Sequence, residues 1–178
     1  MAVYRALPKG CLIRIRQYRP ESVLCCITYN TEHARQMTTA HTAKITISDF
    51  NQLLESHHPF ASVLGIDVLE IGPGTSLLLL PDRSSHQRLG GIVAGPMLMG
   101  LADLALYAAV VGASGNAEAV TASLSINFLR KAPPGGILAR ATILKTGRLA
   151  AGEVLLEPAA GGDPVAQAIS TWSLPRNV

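Results

Sequence analysis

Apolar and polar positions along the chain follow two alternating periods. Phe50, Leu53 and Leu54 recur on one helical face. Ser48 can cap a short helix over residues 49–56, which Pro59 then ends. Residues 66–71 read as a strand, Gly72-Pro73-Gly74 as a turn, and residues 75–80 as the returning strand. That second strand reads as apolar throughout, which predicts cover on both faces. Residues 81–91 are polar and glycine-rich and read as a loop.

Gly95-Pro96 then opens a run, residues 97–111, that is apolar on every side except at Asp103. Pro96 suits the first helical position, and Gly112 stands where a helix stop belongs. A helix of this kind is either wrapped by protein or set in lipid. From Pro96 it spans about 16 residues, or about 24 Å at 1.5 Å each, short of a bilayer core of about 30 Å. Asp103 at mid-span would cost a further ~2.5–3.5 kcal/mol there. The wrapped helix is the preferred reading.

Beyond it, residues 120–129, 137–145, 149–156 and 165–174 alternate with turn signals at Pro133-Pro134-Gly135-Gly136, Thr146-Gly147-Arg148 and Gly161-Gly162-Asp163. They read as successive antiparallel strands. An α+β domain results, in which an antiparallel sheet curls around one long apolar helix. The sheet hides the helix and the helix fills the sheet's concave face. That is the hotdog architecture.

Charge divides the chain unevenly. Residues 1–36 hold six Lys/Arg (Arg5, Lys9, Arg14, Arg16, Arg19, Arg35) and two acids (Glu21, Glu32), a net of +4. Residues 37–178 hold nine bases and ten acids, a net of −1. The domain therefore carries no bias toward nucleic acid. Cys11, Cys25 and Cys26 also fall in the first segment. No cysteine pattern spans the domain, so neither a disulfide framework nor a cysteine zinc site is indicated, and a reducing cytoplasm fits. Residues 1–36 do not read as a folding unit. They are expected to be a disordered basic extension or an over-extended reading frame, with Met37 a candidate start, and a transit peptide is the alternative. His57 and His58 have no acidic or cysteine partner at ligand spacing, so no metal is expected. No nucleophile elbow, phosphate loop or dinucleotide fingerprint is present.

Chemistry concentrates at Asp103, the one charged residue between Arg88 and Glu118. A carboxylate among Leu, Ala and Met is expensive to desolvate unless paired or protonated, and isolated acids of this kind cluster at functional sites. No base lies at i±3 or i±4, so a partner must come from another segment or subunit. A purely structural role, accepting backbone amides of a facing loop, is the alternative. Gly95, at the helix N-terminus, has an amide that could hold a carbonyl as charge develops on its oxygen, or it could simply permit a turn. Tyr107 lies one turn beyond Asp103 on the same face, able to bond it, to line a pocket or to sit in the core. Ser123, Ser125 and Asn127 alternate along one strand face, toward a groove or toward solvent.

Gly95 and Asp103 are eight residues apart, about 12 Å along a helix. They cannot both touch one small reacting group within a chain. If both act, they come from two subunits with antiparallel helices, which predicts a homodimer with two shared sites.

Gly91-Ile92-Val93-Ala94-Gly95-Pro96, Leu101-Ala102-Asp103, residues 126–132 (INFLRKA) and Thr146-Gly147-Arg148, in that order and spacing, resemble the phenylacetate-pathway (PaaI-like) branch of the hotdog acyl-CoA thioesterases. The resemblance runs from about residue 48 to 174. It implies Asp103 as nucleophile or general base and Gly95 as oxyanion amide. It also implies Arg130, Lys131 and Arg148 near the CoA phosphates, and Gly91, Tyr107 and Asn127 are further candidates to line the substrate groove. It further implies acyl-CoA as substrate, no other cofactor, and a homodimer that pairs again. Two positions depart. The family's His-Gly-Gly is Ala94-Gly95-Pro96 here, and its preceding Asn is Arg88, which could bind a substrate carboxylate or phosphate, polarise a carbonyl, or be solvated. Two further functions stay open on the same fold: a non-catalytic acyl-CoA binder, and a hydratase or dehydratase using His86.

Overall fold

The computed structural model describes residues 42–175 and two short strands before them, β1 (Tyr4–Ala6) and β2 (Leu12–Arg14). These two pair antiparallel, Arg5 opposite Ile13. The chain divides into two units between His41 and Thr42. Apart from that strand pair, the extension expected over residues 1–36 lies outside the described residues.

In the second unit, α1 (Ile47–His57) and α2 (Pro59–Leu64) precede the hairpin β3 (Asp67–Ile71) and β4 (Thr75–Leu80). A minor strand pair, β5 (Gln87–Arg88) and β6 (Ile92–Val93), leads into α3 (Gly95–Ser114). Four strands follow: β7 (Val120–Phe128), β8 (Ile137–Lys145), β9 (Leu149–Pro158) and β10 (Ala166–Ser173). The main sheet runs β3-β4-β8-β9-β10-β7, antiparallel throughout. This is the hotdog fold, with α3 as its filling.

Period-two burial explains the wrap. Ile137, Ala139 and Ala141 of β8, Ala150, Val154 and Leu156 of β9, and Ala166, Ala168 and Trp172 of β10 are all buried on the helix side. Most are small, so α3 can approach the sheet backbone. A Cβ on Gly152 would meet Leu106 Cδ2 at 3.1 Å and Ile143 Cδ1 at 2.8 Å. Leu101 and Leu106 are fully buried, each contributing about 1.5–3 kcal/mol of transfer free energy. Ser76 donates to Ala105 O at 2.7 Å and ties β4 to the helix.

Five expectations are corrected. Thr46, not Ser48, caps α1: its backbone is extended and its hydroxyl accepts from Asp49 N at 3.1 Å, while Ser48 lies inside the helix. Pro59 does not only end α1; it starts α2, because its fixed φ suits a first helical position. Gly112 is not the stop of α3, which continues to Ser114 and ends at Gly115 in the left-handed conformation. Gly112 is glycine because a Cβ there would meet Gly72 O at 2.4 Å, where the β3–β4 turn crosses the helix. β4 is buried on one face, at Ser76, Leu78 and Leu80, and half-buried on the other. Residues 81–91 include a 3₁₀ turn (Ser84–His86) as well as β5.

The length of α3 also changes the membrane argument. At 20 residues, about 30 Å, the helix is long and apolar enough to span a bilayer. What sets it apart is its packing, with two-thirds of its most apolar stretch buried against the strands.

Candidate active site

The sheet leaves one stripe of α3 uncovered, with Phe60 and Leu64 of α2 lying against it only at Gly100. Pro96 and Met99 are exposed, and Gly100 and Asp103 are half-buried, at the i, i+3, i+4, i+7 spacing of one helical face. Asp103 Oδ1 accepts the Thr121 hydroxyl at 2.8 Å. Burial pushes the Asp103 carboxyl above its usual range, opposed by the Thr121 hydrogen bond and by the charge of His58. The expected partner from another segment is thus Thr121 of β7, joined by His58 at the α1–α2 junction.

The sequence linked neither residue to Asp103: His58 was weighed only as a metal ligand, and Thr121 not at all. Strand alternation alone misplaces Thr121, because a bulge opposite Thr171 and Trp172 shifts the parity of β7. Ala166, Ala168, Ser170 and Trp172 face the helix. Their partners Phe128, Ile126, Leu124 and Thr121 therefore face it too. Asn127, opposite Gln167, stands on the outer face and bonds the Gln167 side chain at 3.4 Å, away from the groove of its own chain. Ser123 and Ser125 share that outward face.

Tyr107 does not bond Asp103. It is 3% exposed, its hydroxyl donates to Ala117 O at 2.7 Å, and burial pushes that hydroxyl's pKa up. Its ring packs against Phe50, His58 and Trp172, with centroids 5.5, 4.9 and 5.8 Å away. It is a core tyrosine.

At the N-terminal end of α3, Ala94 is extended (φ −71°, ψ 142°) and donates its amide to His86 O at 2.8 Å. Met97 and Leu98 return to Ala94 O. The Gly95 amide has no acceptor among the described residues, as a first helical residue should not. Gly95 lines a cleft of about 360 Å³ whose wall also includes Arg88, Arg130, Lys131, Phe128 and Leu98. Three of the expected cations are therefore brought together with Gly95. Arg130 is held back by Pro164 O and by Asp163 at 3.4 Å. Arg88 and Lys131 are exposed and form no ion pair among the described residues. Gly91 (φ +68°) shapes the β5–β6 turn and donates its amide to Arg88 O, outside the cleft wall. His86 is buried and bonds Pro81 O through Nδ1 at 3.0 Å, so it sits behind the cleft and not in its lining.

Arg148 is not with them. It lines a separate cavity of about 490 Å³ with Lys44 and Asn116, at the far end of α3. Gly95 and Asp103 also remain apart, by about 12 Å of helix. Among the described residues, no group of three or more His, Cys, Asp or Glu is placed to hold a metal ion.

Comparison with known proteins agrees with this architecture. The thioesterase superfamily model matches residues 90–151, from the β5–β6 turn into the start of β9. A Silicibacter protein assigned as a thioesterase is 31% identical, superposes with a TM-score of 0.68, and covers 78% of this chain and 97% of its own. Zebrafish thioesterase superfamily member 2 is 27% identical over 75% of this chain and 99% of its own, with a TM-score of 0.65. A mutant of the phenylacetic acid degradation protein PaaI from Thermus thermophilus is 28% identical over 66% and 99%, with a TM-score of 0.59. The chain belongs to the thioesterase superfamily, as a PaaI-like hotdog protein.

Proposed function

We propose that this protein hydrolyses an acyl-CoA thioester to the free acid and CoA, at a site shared by two copies of the chain. The observation that carries this is the half-buried Asp103 carboxyl on the open stripe of α3. With its pKa raised by burial, the carboxylate is a stronger base than an exposed one, suited to take a proton from water or to attack a carbonyl carbon. The Gly95 amide of the facing copy receives the thioester oxygen as charge develops on it, aided by the positive end of the helix. Water adds to the carbonyl carbon, the C–S bond breaks, and the electron pair leaves with the CoA sulfur. One water proton passes through Asp103 to the departing sulfur, which restores the carboxylate, and the other passes to solvent. Arg88 and Lys131 attract the phosphates of CoA or an anionic acyl group. No step calls for a metal or further cofactor.

β7 supports the shared site. It is one of the sheet's two edge strands, none of its residues is fully buried, and Val120 and Phe128 are exposed. An open edge strand presents unpaired backbone groups on which a second chain can pair.

Thiol release from short, long and aryl acyl-CoAs, with the wild type beside Asp103→Asn, tests the proposal. Loss of a base should lower turnover by about 100-fold or more. A folded Asp103→Asn protein that retains its rate would end this mechanism. A wild type that binds CoA esters without releasing thiol would make it a binding protein, with Ala94 and Arg88 as the reason.

A further inference from the structure

His86 lies outside the cleft, yet it holds the backbone that brings Gly95 to the cleft wall. The β5–β6 ladder pairs Arg88 with Ile92 and Gln87 with Val93. Its next rung is His86 with Ala94, whose amide donates to His86 O at 2.8 Å. On its other side His86 is tied to the main sheet. Its amide donates to Arg83 O at 3.0 Å, and its ring Nδ1 donates to Pro81 O at 3.0 Å. A carbonyl can only accept, so that proton sits on Nδ1. Pro81 directly follows Leu80, the last residue of β4, which is buried and pairs with Ile137 of β8. The chain of contacts thus runs from the sheet through Pro81 and His86 to Ala94. Ala94 O accepts from Met97 and Leu98 in the first turn of α3. A trans peptide sets its N–H opposite its C=O, so the Gly95 N–H of the same peptide points out of the helix.

We infer that His86 is a positioning residue for the Gly95 amide: with Nδ1 on Pro81 O and its own carbonyl on Ala94 N, it locks the Ala94–Gly95 peptide to the end of β4 and holds the Gly95 N–H in one orientation. The inference rests on the thioesterase reading for its kinetic consequence, but not for the anchoring itself. The second ring nitrogen argues for it. His86 is 2% exposed, and Nε2 is buried with no hydrogen-bond partner. A buried polar atom left unpaired is costly, and an apolar side chain of similar shape would avoid that cost. Packing therefore does not account for an imidazole here, whereas the Nδ1 donor does. One further tie, Val93 N to Ala132 O at 3.0 Å, holds the neighbouring residue but leaves the Ala94 amide to His86. An oxyanion donor works only where it meets the oxygen of the transition state, so a small swing of this peptide weakens it.

The test compares wild type with His86→Leu, His86→Gln and His86→Asn. Asparagine places its amide nitrogen near the position of Nδ1, glutamine near that of Nε2, and leucine has no donor. Two readouts are taken: kcat and KM separately, for an acyl-CoA that the wild type turns over, and the ¹H–¹⁵N signal of Gly95 in glycine-labelled protein, assigned by its loss in Gly95→Pro. His86→Leu and His86→Gln should lower kcat by about 10-fold or more with KM little changed, as expected for a contact made in the transition state, and should move the Gly95 signal. His86→Asn should bring both back toward wild type. Folded His86→Leu protein with kcat and the Gly95 signal unmoved would overturn the inference. So would a fall in kcat without movement of that signal, or an Asn variant as impaired as the Gln variant. If His86→Leu does not fold, the Asn and Gln variants, both polar, carry the comparison. If the wild type releases no thiol from any ester, the functional proposal fails separately, and the Gly95 signal still decides whether His86 sets that amide.

Discussion

The Thr121 hydroxyl donates to Asp103 Oδ1 at 2.8 Å, joining the edge strand β7 to the open stripe of α3. A hydrogen bond to the charged form of a carboxyl favours that form, here against the burial that raises its pKa. Thr121→Val keeps the shape and removes the donor. The acid limb of kcat/KM should move to higher pH, so that activity at pH 5 falls while activity at pH 8 changes little. A limb that stays in place, with a lowered melting temperature, would make Thr121 a structural tie only.

Asp103 should also cost the fold stability when ionised. Its folded pKa lies above its unfolded value, so the folded state binds the proton more tightly. The stability this contributes is present at low pH and lost as pH rises through the folded pKa. Asp103→Asn is uncharged throughout. It should melt higher than the wild type at pH 8, and the difference should close by about pH 3, below both pKa values. Equal melting temperatures across that range would mean that burial does not strain the carboxylate.

Two glycines in α3 look alike in sequence and should respond differently to alanine. At Gly100 the new Cβ meets the side chains of Phe60 and Leu64; Phe60 is 51% exposed and can swing aside. At Gly112 it meets the backbone oxygen of Gly72 at 2.4 Å, which cannot move without the β3–β4 turn. Overpacking costs about 1–3 kcal/mol, and alanine returns up to about 1 kcal/mol of helix propensity. Denaturant unfolding should therefore show Gly112→Ala clearly destabilised and Gly100→Ala near neutral. The reverse order would contradict this packing.

The same glycines mark how far the sequence was legible. Strands and hairpins could be read because Gly72-Pro73-Gly74, Gly161-Gly162 and Thr146-Gly147-Arg148 punctuate a period-two pattern. The wrapped helix could be read because only a covering sheet satisfies an apolar run with one acid. Gly112 misled, since a packing glycine and a stop glycine are the same letter, and only the crossing turn separates them. Thr121 misled because a one-residue bulge between it and Ser123 turns it from the face of Ser123, Ser125 and Asn127 to the helix side. Arg148 is separated from Arg88 and Lys131 by the length of α3, which no local pattern expresses. His58 had no signal at all: its place beside Tyr107 comes from the α1–α2 corner, set in turn by the space at Gly100.

The shared site makes a prediction that no single-chain site can satisfy. Gly95 and Asp103 lie about 12 Å apart on one helix, so one thioester must draw them from two chains. Gly95→Pro removes the amide hydrogen at a helical position where proline is tolerated, and Ala94 is already in the extended conformation that precedes proline. Asp103→Asn removes the base. Each variant alone should be inactive. Unfolded together and refolded as a mixture, half the dimers should be mixed. Each mixed dimer holds one intact site, with Gly95 from one chain and Asp103 from the other, so activity should return to about a quarter of the wild type. Thiol release from the mixture, measured against each variant refolded alone, reads this directly. A mixture that stays as inactive as its parts, with mixed dimers demonstrated by differently tagged chains, would place both groups' work within one chain and remove the shared site.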